Sequence, residues 1–543
     1  MVKSRVLVIG MDSAPLSLML PWISKGFLPT FGKIFSTGSY GDLYSRIPVT
    51  PVAWSSIYTG NNPARHGIMG FRNQESGTYG HQGVNSTIRD GRDVWEVAGS
   101  HGKKVVVVNT PLTYPPREVN GYLVCGFMAP SPDYEFTYPP SLKEEVLKIA
   151  PKYRIGTPPF YIKGIYLKEL HSTVHMVGEV AAELMKKIDW DLAFVVFKET
   201  DEVQHSFYDR PEAMLGLYQR VDTIAGELIR LAGESAYVFV VSDHGGEPVE
   251  KRFNVAEFLR RSGYLTIEKT RPTRSTTLLQ TAATTVFDLK MQWFLDLPGS
   301  RDLLRRVMRL LTKSADGSGA EEGFYAGKVD WAKTSVFISS GIGLRINLKG
   351  REPNGMVEPE DFEKIRDKVV EEFREVRDPD TGMTVFKKVL PREAVLSGPH
   401  SDIAPDILCL PNTGYLPTES LASFDPLAVV ATHRTLFSRS TLWSGTHSPN
   451  GLIAIRGPGV VKTSISDATL DDVAPTILYA MGLPVLKGVD GKVLTQVFDP
   501  AHMLANPITR EEETFTSKVK PMVLSAEEER KVEDRLKDLG YLG

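Results

Sequence analysis

The sequence predicts an α/β protein in which a mostly parallel sheet is sandwiched by helices, with α+β cap or lid insertions. Three observations predict this fold. Short all-apolar runs, typical of strands buried on both faces of a parallel sheet, recur along the chain. Amphipathic helices precede several of these runs. Polar residues suited to binding ligands follow the runs directly, where ligands gather beyond the carboxyl ends of parallel strands.

The composition is that of a large globular protein. The chain has 543 residues, of which 42% are hydrophobic and 24% charged, and its formal net charge is −3. This length exceeds one simple core and predicts a large domain with insertions. The charge balance lacks the basic excess of nucleic-acid binders, so no nucleic-acid partner is expected. Cys125 and Cys409 lie in apolar runs and are expected to be buried thiols.

No targeting or membrane segment is expected. The apolar run from Val6 to Ile9 is too short for a signal peptide. No uninterrupted apolar run reaches the roughly 18 residues that a spanning helix needs. We therefore expect a cytoplasmic protein.

The first predicted strand, Arg5 to Ile9, leads directly to Asp12. Helical periodicity follows in Pro15 to Ser24 and in Thr30 to Ser36. Thr50 then stands between two prolines at the start of a small, apolar helical run. A hydroxyl at the start of a helix lies where free N–H groups and the helix dipole favour an anion, although Thr is also an ordinary helix cap.

The next segments repeat the pattern of a helix followed by a strand. A strand from Lys104 to Asn109 runs into a proline-rich loop, and residues from about 128 to 168 are expected to form a loop-rich cap. A helix over His171 to Lys187 precedes the strand Leu192 to Phe197, which leads to Asp201 and His205.

Another amphipathic helix leads to the strand Tyr237 to Val241, and Asp243 and His244 follow it at once. Much later, His447 stands just before the apolar strand Leu452 to Ile455. Each of these polar residues alone also fits a structural role; their joint pattern favours a site.

Three aspartates and three histidines are thus expected at one edge of the sheet. Asp12, Asp201 and Asp243 each lie within four residues of an apolar strand's end. Without matching Lys or Arg, such a cluster would be costly to bury, and a pair of divalent cations removes the problem. The mixed oxygen and nitrogen set suits zinc first, with manganese or iron as alternatives, and is a poor match to magnesium or calcium.

The order of these motifs resembles the alkaline phosphatase superfamily. Within it, the chain looks most like the type I phosphodiesterase/nucleotide pyrophosphatase branch and its relatives described as predicted phosphohydrolases or phosphomutases. The resemblance covers about residues 1 to 255 and 390 to 490, and the residues that carry it are Asp12, Thr50-Pro51, Thr59-Gly60, Pro63, His66-Gly67-Ile68, Asp201, His205, Asp243-His244-Gly245 and Gly445-Thr446-His447.

The resemblance implies an alkaline phosphatase-like core and two metal sites. One metal would be held by Asp201, His205 and His447. The second would be held by Asp12, Asp243, His244 and the hydroxyl of Thr50. Thr50 would be the nucleophile and would form a phosphothreonine intermediate that water then hydrolyses.

One position departs from the family pattern. Relatives with nucleotide specificity usually carry Asn three residues after the nucleophile, and this chain has Ala53. Support for the phosphate oxygens is therefore expected from backbone N–H groups at the start of the helix, or from the substrate-binding candidates Asn109 and Lys198. A sulfatase is not expected, because the Cys or Ser that those enzymes convert to formylglycine is missing.

The domain prediction has four parts: a core over 1–255, a lid or insert over 256–390, the second part of the core over 391–500, and a charged linker with a terminal helix over 501–543. In the insert, residues 301–311 predict a helix with arginines on one side, either a lid helix with a solvated face or a weak contact surface for anionic lipid or a polyphosphate. Ser525 and Glu528 predict a capping box, and the helix after them is expected to pack on the domain or to contact a second copy. Monomer and homodimer both stay open.

The predicted function is a metal-dependent phosphohydrolase that cleaves a phosphodiester or phosphomonoester of a small molecule. A phosphomutase of the same superfamily and a catalytically inactive relative that binds a phosphate ligand are the alternatives.

Overall fold

The structure is a computed structural model that describes residues 5–156, 163–268, 329–339, 342–418, 436–440, 443–512, 522, 524–539 and 541. The strands of these residues are β1 Val6–Met11, β2 Ser39–Tyr44, β3 Arg72–Gln74, β4 His81–Gly83, β5 Val105–Thr110, β6 Gly121–Cys125, β7 Thr137–Tyr138, β8 Leu192–Phe197, β9 Tyr237–Val241, β10 Gly245–Asn254, β11 Val336–Ile338, β12 Gly343–Ile346, β13 Phe386–Pro391, β14 Ile407–Pro411, β15 Gly414–Thr418, β16 Phe437–Arg439, β17 Gly445–Ser448, β18 Asn450–Arg456, β19 Ser464–Thr469, β20 Val485–Leu486 and β21 Arg510–Glu511.

The α-helices of the same residues are α1 Leu16–Ser24, α2 Pro29–Thr37, α3 Thr50–Thr59, α4 Pro63–His66, α5 Val94–Ser100, α6 Leu142–Ile149, α7 Lys163–Lys187, α8 Glu199–Phe207, α9 Pro211–Ala232, α10 Val255–Arg261, α11 Phe362–Arg374, α12 Val473–Ala480, α13 Pro500–Ala505 and α14 Ala526–Asp538.

The main sheet carries the core of the molecule. Its nine strands in the described residues follow the order β19-β2-β18-β9-β1-β8-β5-β6-β7. Strands β9, β1, β8, β5 and β6 are parallel to one another, as the buried apolar runs predict. Strand β18 is antiparallel to both of its neighbours, β9 and β2, which an apolar run alone does not reveal. The predicted, mostly parallel α/β fold is confirmed.

Helices cover the sheet in two groups, which explains why its central strands are apolar throughout. All residues of β1, β8 and β9 are buried. Helices α7 and α2 pack against α9 in one group, and α3, α5 and α12 contact one another in the other. Both faces of these central strands are therefore removed from water, and only their ends remain for polar residues.

Local sequence patterns located most elements within a few residues. The strands Leu192–Phe197 and Tyr237–Val241 have the predicted bounds. Helix α7 begins at Lys163, earlier than the predicted start at His171. The prediction missed the first turns because they are less amphipathic than the stretch from His171 onward. The stretch from 128 to 168, predicted as a loop-rich cap, also contains strand β7 and helix α6.

The insert after the core is built from small sheets and a helix, as the fold class predicts. Strands β11, β12, β14 and β13 form an antiparallel sheet, and α11 packs on it. A separate sheet has the order β15-β10-β16, and β17 also pairs with β10. Strand β10 thus connects the insert to the edge of the core. The predicted helix over 301–311 lies outside the described residues.

The terminal helix α14 begins with the predicted capping box. The Glu528 carboxylate accepts a hydrogen bond from the Ser525 N–H at 2.8 Å, and Ser525 Oγ accepts one from the Glu528 N–H at 3.3 Å. Val532 and Leu536 are buried against the core. The helix therefore packs back on the domain, one of the two arrangements expected for it.

Two further expectations can be compared with the described residues. Cys125 and Cys409 are both free and buried, as expected. None of the helices there combines the length and the apolar character needed to cross a membrane.

The helix that begins at Thr50 is braced by a buried ion pair. Arg89 Nη2 donates to both carboxylate oxygens of Asp93 at 2.6 Å, and Nη1 donates to Tyr58 Oη on α3 at 3.1 Å. The Arg89 side chain is 0% exposed and that of Asp93 is 3% exposed. Removing one partner would leave the other charge buried and unpaired.

We expect Arg89→Met to lower the free energy of unfolding by about 3 to 5 kcal/mol, because Asp93 loses its buried counter-charge. Urea unfolding followed by tryptophan fluorescence measures this. The control is Lys186→Met, which removes an exposed partner of Glu183 and should cost less than about 0.5 kcal/mol. Equal effects of the two substitutions would contradict the prediction.

Candidate active site

The three aspartates predicted as ligands meet at the carboxyl end of the central strands. Strand β1 lies between β8 and β9 and is parallel to both. Asp12 follows β1, Asp243 follows β9, and Asp201 lies in the first turn of α8, just beyond β8. All three side chains are fully buried. The fold therefore concentrates three carboxylates at one sheet edge.

The three histidines reach the same edge by different routes. His205 lies one helical turn after Asp201 on α8, and His244 directly follows Asp243. His447 lies on β17, opposite Gly246 of β10, the strand that begins right after His244. A Cβ atom on Gly445 would lie 2.6 Å from the Gln204 carbonyl oxygen, so glycine lets β17 approach α8 closely.

The side chains form two adjoining groups. In the first, His205 Nε2 lies 3.0 Å from His447 Nε2, and Asp201 Oδ1 lies 3.1 Å and 3.2 Å from these nitrogens. In the second, His244 Nε2 lies 3.2 Å from Asp243 Oδ2 and 3.6 Å from Asp12 Oδ1. The rings of His244 and His447 are 3.9 Å apart between centroids, so the two groups are in contact.

Each imidazole is oriented by a backbone carbonyl. Nδ1 of His205 lies 2.9 Å from Gly445 O, Nδ1 of His447 lies 2.7 Å from Pro48 O, and Nδ1 of His244 lies 3.1 Å from Gly245 O. Because a carbonyl oxygen only accepts, Nδ1 carries the hydrogen in each neutral ring. The Nε2 lone pairs therefore point into the site, the arrangement in which histidine binds metals.

Several buried polar atoms in this cluster lack a hydrogen-bond partner among the described residues: Asp12 Oδ1, Asp201 Oδ1, Asp243 Oδ2, His244 Nε2 and Thr50 Oγ1. Unpaired polar atoms are costly inside a protein. Divalent cations would satisfy all of them, and the oxygen and imidazole donors fit zinc, manganese or iron. Within the described residues, Asp201, His244 and His447 have ligand atoms close enough to hold an ion, as do Asp12, Asp243 and His244.

Burial without cations perturbs the ionisation of these groups. Desolvation, with the nearby charge of Asp201, raises the pKa of Asp12 to about 7. Desolvation, with the charge of Asp12, raises the pKa of Asp243 well above its usual range. Desolvation, with the charge of His447, lowers the pKa of His244. At Asp201, burial is outweighed by the charges of His205 and Lys198, which keep its pKa well below the usual range.

Thr50 is the first residue of α3, and its side chain is fully buried. Two contacts connect this segment to the ligand groups. Trp54 Nε1 donates to Asp12 Oδ2 at 3.0 Å, and the Pro48 carbonyl oxygen accepts from His447 Nδ1 at 2.7 Å. A Cβ atom on Gly10 would lie 2.5 Å from the Trp54 ring, so glycine permits the close packing of α3 on β1.

The start of α3 leaves one backbone donor available. The N–H groups of Val52 and Ala53 both donate to the Val49 carbonyl at 2.9 Å, and Pro51 has no N–H. The Thr50 N–H has no acceptor in the described part of the chain. The Thr50 N–H is therefore the backbone donor at the start of α3 that is available to support a phosphate oxygen.

The two substrate-binding candidates have different environments. Asn109 Nδ2 donates to the Val196 carbonyl at 2.9 Å, so the amide group is used inside the sheet. Lys198 Nζ lies 3.0 Å from Asp201 Oδ2 and 3.5 Å from Glu202 Oε1, directly beside the first ligand group. Lys198 is therefore the better placed of the two.

Sequence reasoning missed two aromatic residues around the site. Trp443 packs on His205, with ring centroids 4.2 Å apart. The Tyr541 hydroxyl lies 2.5 Å from Asp201 Oδ2 and 2.9 Å from Lys198 Nζ. No local pattern connects either residue to the site, because both contacts depend on distant segments meeting.

Comparison with known proteins agrees with this geometry. The family model of type I phosphodiesterase/nucleotide pyrophosphatase matches residues 6–423. The chain belongs to this family. It is accordingly a hydrolase of phosphoric ester bonds, within a metal-dependent superfamily. No match to this phosphodiesterase-family chain is found among curated proteins.

Solved structures of phosphonoacetate hydrolase share the fold of this family member. Phosphonoacetate hydrolase from Sinorhizobium meliloti 1021, bound to phosphonoacetate, has a TM-score of 0.55 and 14% identity, covering 88% of this chain and 95% of its own. The same enzyme bound to phosphonoformate has a TM-score of 0.55 and 15% identity, and the match again covers 88% of this chain and 95% of its own. Human ectonucleotide pyrophosphatase/phosphodiesterase 5 has a TM-score of 0.49 and 10% identity, and the match covers 91% of this chain and 100% of its own.

We expect the affinity for divalent metal to fall as the pH drops below about 7, because a proton must leave Asp12 before it binds a cation. The loss should approach about tenfold per pH unit for each proton displaced. Titration calorimetry with zinc between about pH 6 and 8, in buffers of different ionisation enthalpy, measures both the affinity and the protons released. An affinity independent of pH, with no proton release, would contradict the prediction.

Proposed function

We propose that this chain is a two-metal phosphohydrolase that cleaves a small-molecule phosphate ester through a phosphothreonine intermediate on Thr50. The observation that carries the proposal is the Thr50 hydroxyl. It is buried, has no partner among the described residues, and begins a helix joined by hydrogen bonds to both ligand groups. A structural Thr at a helix start would instead cap the helix or bond a neighbouring polar group.

The residues that would hold two cations follow from the two groups. Asp201, His205 and His447 would hold one, and Asp12, Asp243 and His244, with the Thr50 hydroxyl, would hold the other. Zinc is proposed, with manganese or iron as alternatives. When bound, such cations act as Lewis acids that stabilise charge on the attacking and leaving oxygens.

The chain's own part in the reaction is to supply and aim the nucleophile. Thr50 Oγ loses its proton and forms a bond to phosphorus while the bond from phosphorus to the ester oxygen breaks, and the leaving oxygen takes up a proton and departs as an alcohol. Water then attacks phosphorus, the bond to Thr50 breaks, and a proton from the water restores the Thr50 hydroxyl. The product released is phosphate from a monoester or a phosphomonoester from a diester. The fixed start of α3 keeps Oγ in one orientation through both steps.

Charge on the phosphate oxygens needs donors other than the missing asparagine at position 53. The Thr50 N–H is one, at the positive end of the α3 dipole. The Lys198 ammonium is the second, since it lies beside Asp201 at the boundary of the first group. Asn109 is less favoured, because its Nδ2 donates to the Val196 carbonyl inside the sheet and, among the described contacts, its side chain touches neither ligand group.

The ester class is the open part of the proposal, because Ala53 removes a feature that accompanies nucleotide specificity. A diester and a monoester both remain, and phosphonoacetate should also be tested, since a protein of the same fold hydrolyses it. A cytoplasmic location also remains a proposal.

We expect Thr50→Ala to lower kcat at least about 1,000-fold, because the covalent route is lost. Thr50→Ser keeps the hydroxyl and is the matched control, so it should retain most of the activity. Metal content, measured by elemental analysis, should stay near the wild-type level in both. Substantial activity in Thr50→Ala would mean that the nucleophile is another group.

The ester class can be assigned by comparing bis-p-nitrophenyl phosphate with p-nitrophenyl phosphate after reconstitution with zinc. We expect hydrolysis of at least one, and its loss in His447→Ala, because that substitution removes one ligand and lowers occupancy of one metal. Two bound metals with no turnover of either ester would favour the phosphomutase. Ligand binding without metal content would favour the inactive relative.

A further inference from the structure

The segment after α14 brings a tyrosine into the first ligand group. The N–H of Tyr541 donates to the Leu536 carbonyl at 2.8 Å, which turns the chain back over the end of the helix. The Tyr541 hydroxyl lies 2.5 Å from Asp201 Oδ2 and 2.9 Å from Lys198 Nζ. A residue more than 300 positions after Asp201 therefore contacts a predicted metal ligand directly.

Helix α14 fixes the position of this tyrosine. Val532 and Leu536 are buried against the core, and Arg535 Nη1 donates to the Ala129 carbonyl at 2.7 Å. The Tyr114 hydroxyl donates to Glu528 near the start of the helix, and Arg72 pairs with Glu533. Contacts along its length hold α14 in one orientation, so Tyr541 does not depend on its own hydrogen bonds alone.

The contacts of Asp201 divide its two carboxylate oxygens between different roles. Oδ2 accepts from Lys198 at 3.0 Å and from Tyr541 at 2.5 Å. Oδ1 has no hydrogen-bond partner among the described residues and lies 3.1 Å from His205 Nε2 and 3.2 Å from His447 Nε2. Because Lys198 donates to the tyrosine oxygen, the single phenolic hydrogen is directed to Asp201. One carboxylate oxygen is thus occupied and the other is left for a cation.

Aromatic side chains surround the phenol ring. Its centroid lies 4.9 Å from that of Phe71, 5.7 Å from that of Trp443 and 5.9 Å from that of Phe127. The His205 ring is 5.6 Å away. These contacts keep water from the Oδ2 side of Asp201, which strengthens the hydrogen bond there.

We propose that Tyr541 is a positioning residue that holds Asp201 so that only Oδ1 binds the first metal; this rests on the proposed two-metal function. A carboxylate with both oxygens free can bind a cation through one or two atoms. With Oδ2 held by two donors, Asp201 supplies one oxygen and leaves a coordination position for the substrate.

An inhibitory role for the same residue is the competing explanation. The hydroxyl contacts lie on Asp201 and Lys198, on the side of the first group. Among the described contacts, none joins the hydroxyl to Thr50 or to the Asp12, Asp243 and His244 group. The geometry thus favours support of a ligand over obstruction of the nucleophile.

The test compares Tyr541→Phe with Tyr114→Phe in the full chain. Tyr541→Phe keeps the ring packing and removes only the hydroxyl at Asp201. Tyr114→Phe is the matched control, since it removes a hydroxyl that bonds α14 through Glu528 but does not touch the ligands. Cobalt(II) titration of the metal-free proteins, followed by visible absorption, measures the affinity of each equivalent and the coordination of the ion.

We expect Tyr541→Phe to weaken one of two cobalt equivalents on the order of tenfold and to change its absorption intensity, because Oδ2 of Asp201 then keeps only the Lys198 hydrogen bond and the carboxylate is held less firmly. The other equivalent, and both equivalents in Tyr114→Phe, should match the wild type. Unchanged affinity and spectrum in Tyr541→Phe would overturn the proposal. So would faster ester hydrolysis with unchanged cobalt binding, which would mean that the hydroxyl obstructs the site.

The cobalt measurement separates this proposal from the proposed function. Wild-type protein that binds two cobalt ions but hydrolyses no ester would contradict the phosphohydrolase, while the two variants still test Tyr541. Wild-type protein that binds no cobalt would overturn both.

Discussion

The structure depends on one electrostatic constraint, the burial of three aspartates at the end of three adjacent strands. Asp12, Asp201 and Asp243 are each fully buried, and one oxygen of each has no hydrogen-bond partner in the described residues. Lys198 is the cation bonded to one of them, through Asp201 Oδ2. Positive charge between the carboxylates would stabilise such a cluster, and the inward Nε2 atoms of three histidines are suited to binding a cation there.

Several features around the site support this arrangement. Gly10 and Gly445 permit the close packing that brings α3 and β17 to the strand ends. The backbone carbonyls of Pro48, Gly245 and Gly445 orient the imidazoles, and Trp54 holds the second oxygen of Asp12. The nucleophile proposed at Thr50 is fixed through the same contacts, so the ligands and the reacting group form one rigid unit.

The strands and most of the site residues were predictable from sequence because their signals are local. The contacts between distant segments were not. The aspartates, His205 and His244 follow apolar runs. Strands buried on both faces are apolar throughout, so a short stretch of sequence is enough to predict them. The capping box at Ser525 is equally local. The antiparallel direction of β18, the Asn109 to Val196 hydrogen bond and the approach of Tyr541 to Asp201 arise only when distant segments meet. No short sequence pattern predicts contacts between segments that are far apart in the chain.

The hydrogen bond between Pro48 and His447 joins residues that are 399 positions apart. While the chain is being synthesised, the segments carrying Asp12, Thr50, Asp201 and Asp243 emerge from the ribosome long before His447. The first ligand group therefore cannot close until most of the chain exists, and the cation proposed for that group would bind only then. Fragments that stop short of β17 would lack the His447 nitrogen beside Asp201, and such incomplete chains are natural targets for quality control by chaperones and proteases.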